Sequence, residues 1–107
     1  MISNDIQKVI TYIHKNYANA LSIEAFSNIS HLSNYRFIHK FKEEIGLSPM
    51  IYLRNLRIEH GKKFLLTTNL SISEISYLIG FKNPYYFSRV FNQVTDASPS
   101  FYRKSLQ

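Results

Sequence analysis

Tyr35 and His39 stand four residues apart, as do Tyr85 and Arg89, and the two pairs are offset by 50 positions. In a helix, that spacing puts both members of a pair on one face. Their side chains suit the edges of base pairs. Arginine carries a planar fork of donors that matches the two major-groove acceptors of guanine. Tyr35, Tyr85 and Ile38 offer apolar surface for a thymine methyl group, and Asn34 or His39 can hydrogen-bond to base edges. Phosphate contacts need only positive charge or free backbone amides. Arg36, Lys40, Lys42, Arg54, Lys82 and the N-termini of the short helices meet that need.

Other chemistries find no comparable set. Ser48 and Ser98 each precede a proline at a helix start, where capping accounts for the hydroxyl. No glycine-rich loop could cradle a phosphate, and no nucleophile–base–orienter triad stands out. There is no cysteine, which excludes disulfides and thiolate metal sites. His14, His31 and His60 do not combine with a carboxylate at ligand spacing. These residues point away from an enzyme and imply neither metal nor cofactor.

The elements that must position the two pairs occur twice. Residues 33–53 (SNYRFIHKFKEEIGLSPMIYL) align with residues 83–103 (NPYYFSRVFNQVTDASPSFYR) at an offset of 50. Phe37 falls on Phe87, Phe41 on Phe91, Ser48-Pro49 on Ser98-Pro99 and Tyr52 on Tyr102. Upstream the offset is 49, pairing Ile23–Ser27 with Ile72–Ser76 and Leu32 with Phe81, so the second copy carries one extra residue near Lys82. A repeat is usually one supersecondary unit. Each copy reads as short helix, tight turn and longer helix, which is a helix-turn-helix.

A first helix at about 3–17 carries Ile6, Val9, Ile10, Ile13 and Tyr17 on one face, with Ser3, Asn4 and Asp5 as candidate caps. A short helix at about 22–29, capped by Ser22, turns Ile23, Phe26 and Ile29 inward. After His31-Leu32-Ser33, with Ser33 or Asn34 as cap, a helix to about 44 stacks Phe37, Phe41 and Ile45, and Gly46 suits a left-handed cap. Ser48-Pro49 opens a helix over about 49–66, roughly 27 Å long at 1.5 Å per residue. The second copy follows at about 73–79, with Ser71 or Ser73 as cap and Ile72, Ile75, Leu78 and Ile79 apolar. Its longer helix spans about 83–94, with Phe87, Phe91 and Val94 inward, and a last helix runs from Pro99 to near Ser105.

Bulk properties agree. The 107 residues suffice for one domain or two small subdomains sharing a helix. Only three glycines and three prolines leave little room for hairpins, so the fold class is all-α. No apolar run reaches the roughly 18 residues of a membrane span. Net charge is +6, and residues 1–33 are neutral, with Lys8 and Lys15 against Asp5 and Glu24. The positive excess therefore lies in the repeated region, as a polyanionic partner requires. The competing reading is a helical adaptor that binds a protein through the same faces without specific DNA binding.

The pattern I-x-x-I-S-x-x-x-GF-x(5)-FSRVF-x(6)-SPSFYR, from Ile72 to Arg103, resembles the signature of the AraC/XylS family. The first copy resembles that family's other helix-turn-helix, and Arg57–Asn69 its linking helix and exit. The resemblance implies about seven helices: a first subdomain at about 1–48, a linking helix at about 49–67 and a second subdomain at about 68–107. It implies a transcription regulator, usually an activator that contacts RNA polymerase, working on double-stranded DNA in the bacterial cytoplasm at the nucleoid. Its base-reading slots fall on Asn34, Tyr35, Ile38 and His39, and on Pro84, Tyr85, Ser88 and Arg89. Two reading helices about one DNA turn apart, roughly 34 Å, would enter successive major-groove segments of an asymmetric site. The length suits a stand-alone member acting as a monomer, and equally the C-terminal domain of a larger one that dimerises elsewhere. Asn92-Gln93 replaces frequent lysines, Asp96 stands where glycine is common, and Gly61 replaces a usual alanine at about 1 kcal/mol of helix propensity.

Overall fold

The computed structural model describes residues 1–106; Gln107, the end of the expected domain, lies outside them. The described residues form seven helices and no strand: α1 (Asn4–Asn16), α2 (Ile23–Ser30), α3 (Asn34–Ile45), α4 (Pro49–Thr67), α5 (Ile72–Leu78), α6 (Pro84–Thr95) and α7 (Pro99–Ser105). The chain divides into two compact units, Met1–Arg54 and Asn55–Gln107, and the division falls inside α4.

In the first unit, serines set the helix starts. The hydroxyls of Ser3, Ser22 and Ser33 accept from the backbone N–H three residues on, satisfying donors a helix start otherwise leaves open. Ile6, Val9 and Ile13 of α1, Phe26 of α2, Phe37 and Phe41 of α3 and Leu53 of α4 close the core. The Phe37 and Phe41 rings lie 5.7 Å apart, and Phe41 meets Tyr52 edge-on at 5.7 Å. α2 ends with His31 at φ 60°, and α3 with Gly46 at φ 91°, both left-handed.

The second unit repeats that build. Ser71 and Glu74 form a reciprocal capping box at the start of α5. The Asn83 side-chain oxygen accepts from the N–H groups of Tyr85 and Tyr86 at the start of α6. Ile58 and Leu65 of α4, Ile75, Ile79, Phe81, Phe87, Val90 and Phe91 form the core. Phe87 and Phe91 lie 5.7 Å apart, and Phe91 meets Tyr102 edge-on at 5.3 Å, matching the first unit. Gly61 is buried, and a β-carbon there would meet Ile79 Cδ1 at 3.1 Å and Phe87 Cε1 at 3.4 Å. The propensity lost at this glycine goes with a close approach of the Ile79 and Phe87 side chains.

Some inward positions differ from the periodic reading. Leu78 is exposed, because α5 stops there and Ile79, just past the helix, turns into the core. Val90 is buried, one step round α6 from the Phe87–Phe91 stripe. Ile23, Ile29, Ile45, Ile72 and Val94 are half-buried at the edges of their helices.

Candidate nucleic-acid interface

The two helix-turn-helix turns share one construction. The Leu32 N–H donates to the Ser27 carbonyl at 3.2 Å, and the Phe81 N–H donates to the Ser76 carbonyl at 2.9 Å. Ser27 and Ser76 are both buried, and each hydroxyl donates to a backbone carbonyl of its own helix, Ile23 and Ser73 respectively. Leu32 and Phe81 therefore hold equivalent places. From the left-handed residue to the cap is His31 to Ser33 in one unit and Gly80 to Asn83 in the other. The extra residue of the second turn is thus Lys82, between Phe81 and the capping Asn83, and it is exposed.

These turns aim the outer faces of α3 and α6 at solvent. On α3, Asn34, Tyr35, Arg36, His39 and Lys42 are exposed and Ile38 is half-buried. Tyr35 is 71% exposed, which no core role explains. Its ring packs against His39, with centroids 4.2 Å apart. Lys40 is half-buried instead, with Nζ 3.2 Å from Asp5 of α1. One turn on, Glu44 accepts the Ser3 N–H at 2.7 Å. Lys40 and Glu44 thus clasp the start of α1, and the Lys40 charge is already partnered.

On α6, Tyr85 is 85% exposed, Arg89 is exposed, and Pro84 and Ser88 are half-buried. Pro84 occupies the first turn of the helix, where a missing N–H costs nothing. Arg54 lies on α4 and is half-buried. Each unit therefore gathers its own expected base-reading side chains on one helix. Among the expected phosphate contacts, Arg36, Lys42 and Lys82 stand exposed, while Lys40 and Arg54 do not.

Three supporting contacts escaped the reading of the sequence. Arg103 of α7 donates from Nε to the Leu65 carbonyl at 3.0 Å and from a terminal nitrogen to the Thr68 carbonyl at 3.2 Å. It closes the end of α4, where carbonyls lack helical partners. The Arg57 guanidinium lies 6.0 Å from the Phe81 ring centroid, and burial lowers its pKa. It braces the turn before α6. His14 Nε2 meets the Tyr52 hydroxyl at 2.7 Å, and burial raises the pKa of that phenol. The repeat hides Arg103, because its counterpart is Leu53, a core residue.

Among the described residues, no group of three His, Cys, Asp or Glu side chains could hold a metal ion, and no helix is long and apolar enough to cross a membrane.

Residues 26–105 match the family model described as a helix-turn-helix domain. The raffinose operon transcriptional regulatory protein RafR of Pediococcus pentosaceus is 34% identical over 97 residues, covering 91% of this chain and 35% of that protein. The chain spans about a third to a half of the length of the curated relatives it matches. Among solved structures, it resembles the C-terminal domain of AraT, a response regulator from Geobacillus stearothermophilus. The TM-score is 0.93 at 28% identity, over 97% of this chain and 87% of that one. The DNA-binding domain of AdpA, solved in complex with a target DNA, shares the fold at a TM-score of 0.92 and 21% identity, over 96% and 93% of the two chains.

Proposed function

The chain belongs to the AraC/XylS family of helix-turn-helix transcription regulators, and we propose that it reads double-stranded DNA sequence-specifically, one helix per unit. The observation that carries this reading is the pair of exposed faces. α3 and α6 follow turns of the same build, and each shows side chains that the folded unit does not consume. Asn34, Tyr35, Ile38 and His39 read bases in one major-groove segment, and Pro84, Tyr85, Ser88 and Arg89 in the next. Pro84 offers only apolar contact, so specificity in the second unit rests on Arg89 and Tyr85. Arg36, Lys42 and Lys82 grip phosphates; Lys40 joins them only by releasing Asp5. The AdpA domain, of the same fold, was solved on its target DNA, which supports this use of the fold. The proposed outcome is activation of transcription through contact with RNA polymerase, in the cytoplasm at the nucleoid. Two unlike reading helices make the site asymmetric, so one copy suffices to occupy it.

The test is selection of genomic DNA fragments by the purified protein, followed by titration of the selected site across salt concentrations. The reading expects a shared asymmetric sequence and affinity that falls steeply as salt rises. Arg89→Ala should relax preference at one base pair at a cost of about 1–3 kcal/mol. No shared sequence, with salt-insensitive binding, would favour the adaptor reading. An Arg89→Ala protein with unchanged preference would remove α6 from the reading role.

A further inference from the structure

The two units fill the same two slots differently. In α6, Tyr85 and Arg89 stand one turn apart without a ring contact. In α3, Tyr35 and His39 pack ring to ring, with centroids 4.2 Å apart and planes inclined by 44°. Both residues are exposed, so the contact stabilises no core. It borders an open hollow on the unit's surface lined by Leu32, Tyr35, Arg36, His39, Lys40 and Glu43. A free surface imidazole samples several rotamers and loses that freedom on binding. A ring already held in place loses less, and a fixed donor or acceptor discriminates better than a mobile one. The Arg89 fork needs no such support, because its planar donor geometry is built in.

We infer that the Tyr35 ring holds the His39 imidazole in place, so that the two read one base pair as a single element, while Tyr85 and Arg89 act separately. The inference rests on the DNA-reading role of α3. The base edge that fits is one whose acceptor or donor a single imidazole nitrogen can meet, with the Tyr35 ring covering the adjoining apolar edge.

The experiment measures base preference at every position of the selected site, for wild type and for Tyr35→Ala, Tyr35→Phe, His39→Ala and the double alanine variant. Tyr35 is exposed, and a melting curve checks that each variant folds. His39→Ala should flatten preference at one base pair by about tenfold. Tyr35→Ala should flatten the same base pair by a similar factor. The double variant should be no worse than either single variant. Tyr35→Phe keeps the ring and should keep the preference. In the free protein, the ring-current shift of the His39 imidazole protons should vanish in Tyr35→Ala and survive in Tyr35→Phe. The matched pair Tyr85→Ala and Arg89→Ala should act independently, their effects multiplying. If Tyr35→Ala spares the base pair that His39→Ala affects, or if their effects multiply, the coupled element is refuted and the regulator reading stands. If wild type selects no sequence at all, the regulator reading falls and this inference with it.

Discussion

Replacing Arg103 with methionine would test how unit Asn55–Gln107 is held together. Arg103 comes from α7 but ends on α4, donating to the carbonyls of Leu65 at 3.0 Å and Thr68 at 3.2 Å. Leu65 lies in the closing turn of α4 and Thr68 directly follows its last residue, where the helix dipole is negative and a cation is favoured. Hydrogen bonds to a charged partner contribute about 1.5–3 kcal/mol each when well sheltered. Here one side chain supplies both, its ordering cost is shared, and Arg103 is only half-buried. Water can also reach freed carbonyls at a helix end. The net loss should therefore be near the value of one sheltered bond, about 2 kcal/mol. In a domain of this size that corresponds to a fall in Tm of about 10 °C. Methionine keeps most of the apolar stem, so the loss reports the guanidinium rather than packing. Arg103→Lys, with a single ammonium, can reach one carbonyl and should recover about half the loss. The assay is thermal melting followed by far-ultraviolet circular dichroism at low and moderate salt. A Tm within about 2 °C of wild type for Arg103→Met would refute the bracing role, since 2 °C corresponds to well under 1 kcal/mol.

Glu74 accepts the Ser71 N–H at 3.0 Å, and hydrogen bonds from Ser71 hold its pKa below the ordinary carboxylate value. The sign follows from linkage: the charged cap stabilises above the unfolded carboxyl pKa, and that gain disappears as pH falls through the lowered folded value. Glu74→Gln should therefore melt below wild type at pH 7 and converge on it in strong acid, with a gap that narrows in salt; a gap independent of pH would contradict the charged cap. Asp96 occupies a left-handed conformation at φ 62°, where only glycine avoids the β-carbon clash. Asp96→Gly should hold or raise stability by about 0.5 kcal/mol, and Asp96→Ala should lower it; urea melts giving the opposite order would refute strain at this cap.

The sequence carried what periodicity and local chemistry can carry. Ser33 at a helix start, Gly46 at a helix end, and Phe37–Phe41 repeated as Phe87–Phe91 place α3 and α6 without any distant contact. The inserted residue in the second turn was also legible, because the alignment slips by one position at Lys82. The outward faces of α3 and α6 followed, since a helix that buries one stripe must show the other, and Tyr35 and Tyr85 stand exposed where that rule puts them. Only the folded units decided which charged groups were free. Lys40 and Arg36 look alike in the chain, yet Lys40 meets Asp5 from 35 residues away. Arg103, its copy-one counterpart a leucine, braces α4 through carbonyls 35 and 38 residues distant. Gly61 reads as a weak point of its helix until Ile79 and Phe87 are packed over it. The difference is physical. Caps and amphipathic stripes depend on neighbours within about four positions, which the chain supplies directly. A long polar side chain takes its partner from whatever element packing brings alongside, and that is settled only when the helices have docked.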